Sequence, residues 1–119
     1  MAQPCVFVVE DEAILTTDLC DTVAEAGFKV AGPHSNLSSA MRAFRKRKPD
    51  VAILDVQLND GKIFPIARKL ADQKIPIIFH SGLAADAEVQ ARFPNATTLP
   101  KPCPPAVMIA AVNQLLHIS

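Results

Sequence analysis

The 119-residue chain predicts an α/β domain built on a single parallel sheet. Two observations carry that prediction. Short apolar runs alternate with segments of helical periodicity along the chain, the pattern of successive βαβ units. The third run, Val51–Leu54, is apolar at every position, as a central strand covered by helices on both faces must be. Right-handed crossovers between parallel strands then leave few topologies. No repeat, linker or low-complexity tract divides the chain, so residues 1–119 read as one domain.

The elements follow in order. Cys5-Val6-Phe7-Val8-Val9 is the first strand. Leu15, Leu19, Val23 and Ala26 then recur at the spacing of one helical face, and Gly27 stands where a helix C-cap belongs. A short second strand, Lys29 to Ala31, closes at Gly32-Pro33. Ser35 or Asn36 can cap the next helix, which carries Leu37, Ala40, Met41 and Phe44 inward and stops before Pro49. After Val51–Leu54, Asn59-Asp60-Gly61 signals a turn. A helix follows from about Phe64 to Ala71, with Pro65 near its first position. The fourth strand is Ile77 to Phe79. Leu83 to Asn95 has the alanines and charges of a helix, but a thin apolar face and an early Pro94. A short fifth strand lies around Thr98. The last helix runs from about Pro104 to Leu116, with Val107, Ala111, Leu115 and Ile118 near helical spacing.

Composition removes several function classes. Half the residues are hydrophobic, too many for a disordered chain. Twelve basic and twelve acidic residues cancel, so net charge does not suggest nucleic acid. No apolar run approaches the ~20 residues of a membrane span, and no signal peptide is legible. Cys5, Cys20 and Cys103 have no metal-ligand spacing and read as reduced thiols of a cytoplasmic protein, the first two as core fillers. Arg42, Arg45, Lys46, Arg47 and Lys48 read as a solvated helix end that complements the helix dipole.

The chemistry lies at the strand ends. In an open parallel sheet the carboxyl ends of the strands line the ligand crevice. Here they carry Glu10-Asp11-Glu12, Asp55, Ser81-Gly82 and Lys101-Pro102. Asp11 and Asp55 are the expected metal ligands, with Glu10 close behind. Hard oxygen donors suit Mg²⁺, and a divalent cation relieves the repulsion among three carboxylates. A helix-capping role for the acidic triplet alone would not need Asp55 at the end of a separate strand. Asp55 is the candidate nucleophile, since a carboxylate that attacks phosphorus forms an acyl phosphate. Ser81 is placed to donate a hydrogen bond to a phosphoryl oxygen, with Gly82 leaving space beside it. Lys101 is a point charge for Asp55 or a phosphoryl oxygen. Lys101-Pro102 suits a cis peptide in a tight turn. His80 points to the opposite strand face from Ser81 and reads as structural.

The blocks VFVVEDE, VAILDVQL, IIFHSG and LPKP, in that order, resemble a response-regulator receiver domain of two-component signalling. The resemblance covers essentially the whole length. It implies a flavodoxin-like (βα)₅ three-layer sandwich with parallel sheet order 2-1-3-4-5. It implies Asp55 as phosphoacceptor, Glu10 and Asp11 as the acidic pair, Ser81 as the switch hydroxyl and Lys101 as the family's lysine. Gln57 would give its backbone carbonyl to Mg²⁺. LDVQLNDGKIFPIARKL is similar to alphaproteobacterial single-domain receivers with an F-A-T-G motif, which here reads Phe79-His80-Ser81-Gly82. The partner so implied is a sensor histidine kinase, in that subgroup often of the HWE type, or a phosphotransfer protein. The chain would be a phosphoacceptor that assists its own phosphotransfer and dephosphorylation, not an enzyme, and would signal by a phosphorylation-controlled protein contact. Ile14, an apolar residue on a helix face otherwise made of Asp18, Asp21 and Glu25, is the expected kinase contact.

One departure stands out. Thr98 occupies the position where receivers usually carry a switch Tyr or Phe. The expectation is that Ser81 still moves toward phosphorylated Asp55 while rearrangement centres on Leu83–Asn95. Two rival readings are a degenerate receiver that docks without phosphorylation and a phosphatase with an Asp nucleophile. The intact acidic pair, Asp55 and Lys101 oppose the first. The second wants another acid where Gln57 stands, and its nucleophile normally follows the first strand. A flavin site is opposed by the acidic loop after the first strand.

Overall fold

The computed structural model describes residues 3–82 and 86–117. Strand β1 (Cys5–Val9) leads into helix α1 (Ala13–Glu25), β2 (Lys29–His34), α2 (Leu37–Lys46) and β3 (Val51–Leu54). A small hairpin, β4 (Gln57–Leu58) and β5 (Gly61–Lys62), precedes α3 (Phe64–Asp72). Then come β6 (Ile77–Ser81), α4 (Asp86–Arg92), β7 (Thr97–Pro100) and α5 (Pro105–Leu115). The five long strands form one parallel sheet in the order β2-β1-β3-β6-β7. With the hairpin set aside, this is the expected 2-1-3-4-5 order.

Alternation along the inner strands divides the core into two layers. Phe7, Val9, Ala52, Leu54 and Phe79 pack with α2, α3 and α4, around Ala40, Phe44, Ile66, Leu70 and Val89. Val6, Val8, Val51, Ile53 and Ile78 pack on the other face with Leu19, Val23, Met108 and Val112 of α1 and α5. Each fully buried aliphatic side chain contributes roughly 1.5–3 kcal/mol, against about 1 kcal/mol for a helix cap, so burial sets strand register and caps trim the ends.

Local signals mark those ends. Gly27, just past α1, has φ +94° and supplies the left-handed residue that closes a helix. The Asn36 side chain caps α2 by accepting from the Ser39 N–H at 2.8 Å. Asp60, at the tip of the β4–β5 hairpin, accepts from the Leu37 and Ser38 N–H groups at 2.8 and 3.2 Å, so α2 is capped from two directions.

Three expectations need correction. β2 continues past Gly32-Pro33 to His34. It is an edge strand, where a residue lacking an N–H is tolerated, and the β1–β2 register shifts between Phe7 and Val9. A Cβ at Gly32 would lie 2.9 Å from the Val8 carbonyl oxygen, so only glycine permits this passage. β6 runs on to Ser81. The buried stripe of α5 is Met108 and Val112, with Ala111 and Leu115 partly covered, while Val107 is exposed; Ile118 lies outside the described residues. An apolar helix of this kind offers no polar face by which periodicity can orient it. Of the stretch from Leu83 to Asn95, residues 86–92 are helical and 83–85 lie outside the described residues. Among the described residues no helix is long and apolar enough to cross a membrane.

Candidate functional site

Three strand ends assemble the acidic crevice. Glu10 follows β1 and is only 2% exposed. Its N–H donates to the His34 carbonyl at 2.9 Å, which keeps the chain in the sheet for one more residue. Its Oε2 accepts the N–H groups of Asp11 and Glu12 at 3.1 and 3.2 Å. Asp55 follows β3, and its N–H donates to the Val9 carbonyl at 2.9 Å, which holds it against the end of β1. Lys101 follows β7 and donates its N–H to the Ser81 carbonyl at 3.1 Å, across a cis Lys101-Pro102 bond from the next loop. The Lys101 Nζ lies 2.8 Å from Glu10 Oε1 and 3.2 Å from Asp55 Oδ2.

Electrostatics separate the two buried acids. Burial pushes the Asp55 carboxyl up to about 7, reinforced by the hydrogen bond and negative charge of Glu10, while Lys101 pulls the other way. Burial also raises Glu10. There, hydrogen bonds from Lys101, Asp55 and the Glu12 backbone outweigh it and hold that carboxyl below its usual range. Two adjacent carboxylates cannot both ionise cheaply, so Asp55 is the one that retains the proton. Burial would lower Lys101, but the two acids facing it keep its ammonium above the ordinary lysine range. Carboxylate oxygens of Glu10, Asp11 and Asp55 come within 4.8 Å of one another. Three acids thus cluster, two of them paired with one ammonium, and every donor is a hard oxygen. This set fits Mg²⁺, which relieves the remaining repulsion.

The other expected site residues also fall at this end of the sheet. Ser81 is buried at the end of β6, paired in register with Pro100 directly before Lys101. Gln57 opens β4, and its side chain is exposed and turned back to donate to the Leu58 carbonyl at 3.2 Å. The close Glu10–Lys101 pair is the feature that residue-by-residue reading missed. Its one signal is that Glu10 directly continues the buried apolar run of β1.

His80 sits on the sheet face covered by α1 and α5. It is 6% exposed and lines a cleft of about 180 Å³ together with Leu15, Asp18, Leu19 and Met108. Among the described residues neither ring nitrogen finds a hydrogen-bond partner. Burial, aided by the Lys101 charge, depresses its pKa and keeps the ring neutral. An unsatisfied buried polar group costs roughly 1–3 kcal/mol. His80→Phe, with the adjoining cleft to take its extra volume, is therefore expected to raise the unfolding free energy at pH 7 by about 1–2 kcal/mol in urea titrations. The unfolded chain takes up the His80 proton near pH 6.5 and the folded protein only lower, so stability falls as pH drops through that point. That acid slope should become shallower in the variant, though not vanish, because His34 is likewise depressed by burial. An unchanged slope and a lower unfolding free energy would contradict this account of His80.

The model of the response regulator receiver domain matches residues 6–113, from β1 into α5. The chain belongs to that family. The receiver's parallel sheet and its crevice at the ends of β1, β3 and β7 are accordingly those of a two-component response regulator with a flavodoxin-like fold. The solution structure of SdrG from Sphingomonas melonis Fr1 superposes with a TM-score of 0.82 at 31% identity, covering 98% of each chain. The response regulator REC domain of Erythrobacter litoralis PhyR gives 0.86 at 25% identity, over 98% of this receiver and 92% of that chain. The transcriptional regulatory protein PdtaR of Mycobacterium tuberculosis is 30% identical over 74 residues, which is 61% of the receiver and 36% of PdtaR. The match therefore spans little more than a third of that curated relative.

Proposed function

We propose that the receiver, as one domain over residues 1–119, accepts a phosphoryl group on Asp55 from a phosphohistidine-bearing partner in a Mg²⁺-dependent reaction. The observation that carries this reading is the cluster of Glu10, Asp11 and Asp55, with the Lys101 ammonium paired to Glu10 and Asp55, at the ends of three strands. An Asp55 carboxylate oxygen forms the new bond to phosphorus. The bond from phosphorus to the histidine nitrogen breaks, and the departing imidazole keeps the electron pair and takes a proton. Lys101 sets its positive charge beside the oxygens that gain negative character, and the Ser81 hydroxyl donates a hydrogen bond to one of them. Glu10, Asp11, Asp55 and the Gln57 backbone carbonyl would hold Mg²⁺, which would supply further positive charge for the transferring group. The hydrogen bonds from Lys101, Asp55 and the Glu12 backbone, which outweigh the effect of burial, keep Glu10 ionised as the partner of Lys101, so that Lys101 stays aimed at Asp55. The receiver assists its own phosphotransfer and dephosphorylation without being an enzyme for a separate substrate.

Incubation with acetyl phosphate and Mg²⁺ should add the mass of one phosphoryl group, and EDTA should prevent it. No mass gain under conditions that preserve the fold would defeat the reading. Asp11→Ala should weaken Mg²⁺ binding at least about tenfold, because a hard cation has few direct protein ligands to lose. Magnesium titration followed by NMR is the check, and an unchanged midpoint would remove Asp11 from the ligand set.

The partner in this reading is a sensor histidine kinase, of the HWE type in the subgroup the chain resembles, or a phosphotransfer protein, and the setting is the cytoplasm. Ile14 is 80% exposed in the first turn of α1, close to the acidic crevice. Lone exposed apolar residues carry little meaning by themselves, but this one adjoins the place where a phosphodonor must approach. Ile14→Glu should slow transfer from the kinase while acetyl phosphate labels the protein at the normal rate. Equal slowing with both donors would assign Ile14 to folding instead.

A further inference from the structure

The β4–β5 hairpin, which directly follows Asp55, is anchored to two helices. Asp60 at its tip caps α2, and the Lys62 Nζ on its return strand lies 2.8 Å from Glu88 Oε1 on α4. Lys62 is also the cross-strand partner of Gln57. The hairpin is short and closed at its base by an Ile63 N–H to Val56 carbonyl bond of 2.9 Å, and Leu58 and Ile63 are buried. A displacement at Gln57 must therefore carry Lys62 with it.

The far end of this connection is equally well tied. Glu88 also faces Arg92, at 3.9 Å. The Arg92 guanidinium lies over the Phe64 ring of α3 at 4.6 Å, and Arg68 of α3 lies over Phe93 at 4.9 Å. The two rings stack on each other at 6.0 Å, and Phe93 touches Phe79 of β6 at 5.5 Å. Each helix region thus contributes one ring and one arginine to a reciprocal clasp, while Val89 pins α4 to the core. Each guanidinium lies over the other region's ring, so the contacts tie the end of α4 to α3.

We propose that Lys62 and Glu88 are a positioning pair through which occupation of the Asp55 crevice sets the placement of α4 and its clasp on α3. The inference rests on the phosphoacceptor reading, with Gln57 held at the metal. An exposed ion pair by itself contributes little to stability. This one matters because each partner stands on a rigid element and the two elements respond to different parts of the molecule, which is what coupling requires.

The test is NMR of the full chain on addition of Mg²⁺ and beryllofluoride, a mimic of the phosphoryl group. In the parent protein, amide shifts should change at Asp55–Gln57, at Gly61–Lys62 and at Glu88–Phe93. In Lys62→Met and in Glu88→Gln the Asp55–Gln57 changes should persist at the same saturation midpoint, while those at Glu88–Phe93 shrink at least about twofold. Lys62→Arg, which keeps the charge and donors, should restore them, a rescue that a merely structural role would not produce. Full-sized changes at Glu88–Phe93 in both charge-removing variants would overturn the proposal. Silence at Glu88–Phe93 in the parent, with Asp55–Gln57 responding, would overturn it too but leave the phosphoacceptor reading standing. Silence at Asp55–Gln57 in the parent would remove both.

Discussion

Asp55→Asn is expected to abolish the Mg²⁺-dependent gain of one phosphoryl group, whether the donor is a phosphohistidine partner or acetyl phosphate. An amide is no nucleophile toward phosphorus and cannot yield an acyl phosphate. The geometry around it should survive. The carboxamide can donate to Glu10 and accept from Lys101, the two neighbours of the present side chain. Stability supplies the control. With no metal bound, folded Asp55 holds its proton to about pH 7, whereas the unfolded chain releases it near 3.8. The folded state then binds more protons across that interval, so this group's contribution falls as pH rises from about 4 through 7. Asp55→Asn removes that fall. Urea titrations in EDTA should show the variant at least as stable as the parent at pH 7. A folded variant that still gains the phosphoryl mass would place the nucleophile elsewhere.

Lys101→Met should slow phosphoryl transfer about 10²–10³-fold, the usual scale for losing one preorganised electrostatic group. Its effect on the metal should be opposite in kind. The ammonium occupies the same carboxylates that a cation would use, at 2.8 and 3.2 Å, so Mg²⁺ affinity should hold or rise. Stability in EDTA should fall by roughly 3 kcal/mol, because removing one partner strands the charge of a buried pair. The side chains concerned are 17%, 1% and 10% exposed, too covered for water to make good the loss. Added Mg²⁺ should recover much of the deficit, since binding to the folded state alone stabilises it. Transfer rates in EDTA-free buffer, Mg²⁺ titrations and paired unfolding curves measure all three effects. Parent-like transfer by a folded Lys101→Met protein would exclude the role given to the ammonium.

The parts of the fold that were legible in the sequence share one property: their signal is local. Val51–Leu54 reads as a central strand because every residue on it is apolar, and Gly27 and Asn36 mark helix ends by backbone chemistry that acts within a few residues. Sequence alone ends β2 at Gly32-Pro33, because both residues normally break a strand. Only its place at the sheet edge, with His34 accepting the Glu10 N–H, makes the continuation workable. Helical spacing aligns Val107 with Ala111 and Leu115, but apolar residues surround α5, so spacing alone does not choose its inward face. Packing against α1 and the sheet selects Met108 and Val112.

The candidate site divides along the same line. The sequence by itself determined that acids, a hydroxyl and a lysine stand at successive strand ends, because the parallel sheet follows from the alternation of apolar runs, while the strand order came from the family resemblance. The tertiary structure alone decided which groups touch. It buried Glu10 under Lys101, left the proton on Asp55, and tied the following hairpin to α2 through Asp60 and to α4 through Lys62. Those pairings join residues up to 91 positions apart, from Glu10 to Lys101. Their strength depends on separations of a few ångströms and on the exclusion of water, which no local pattern encodes.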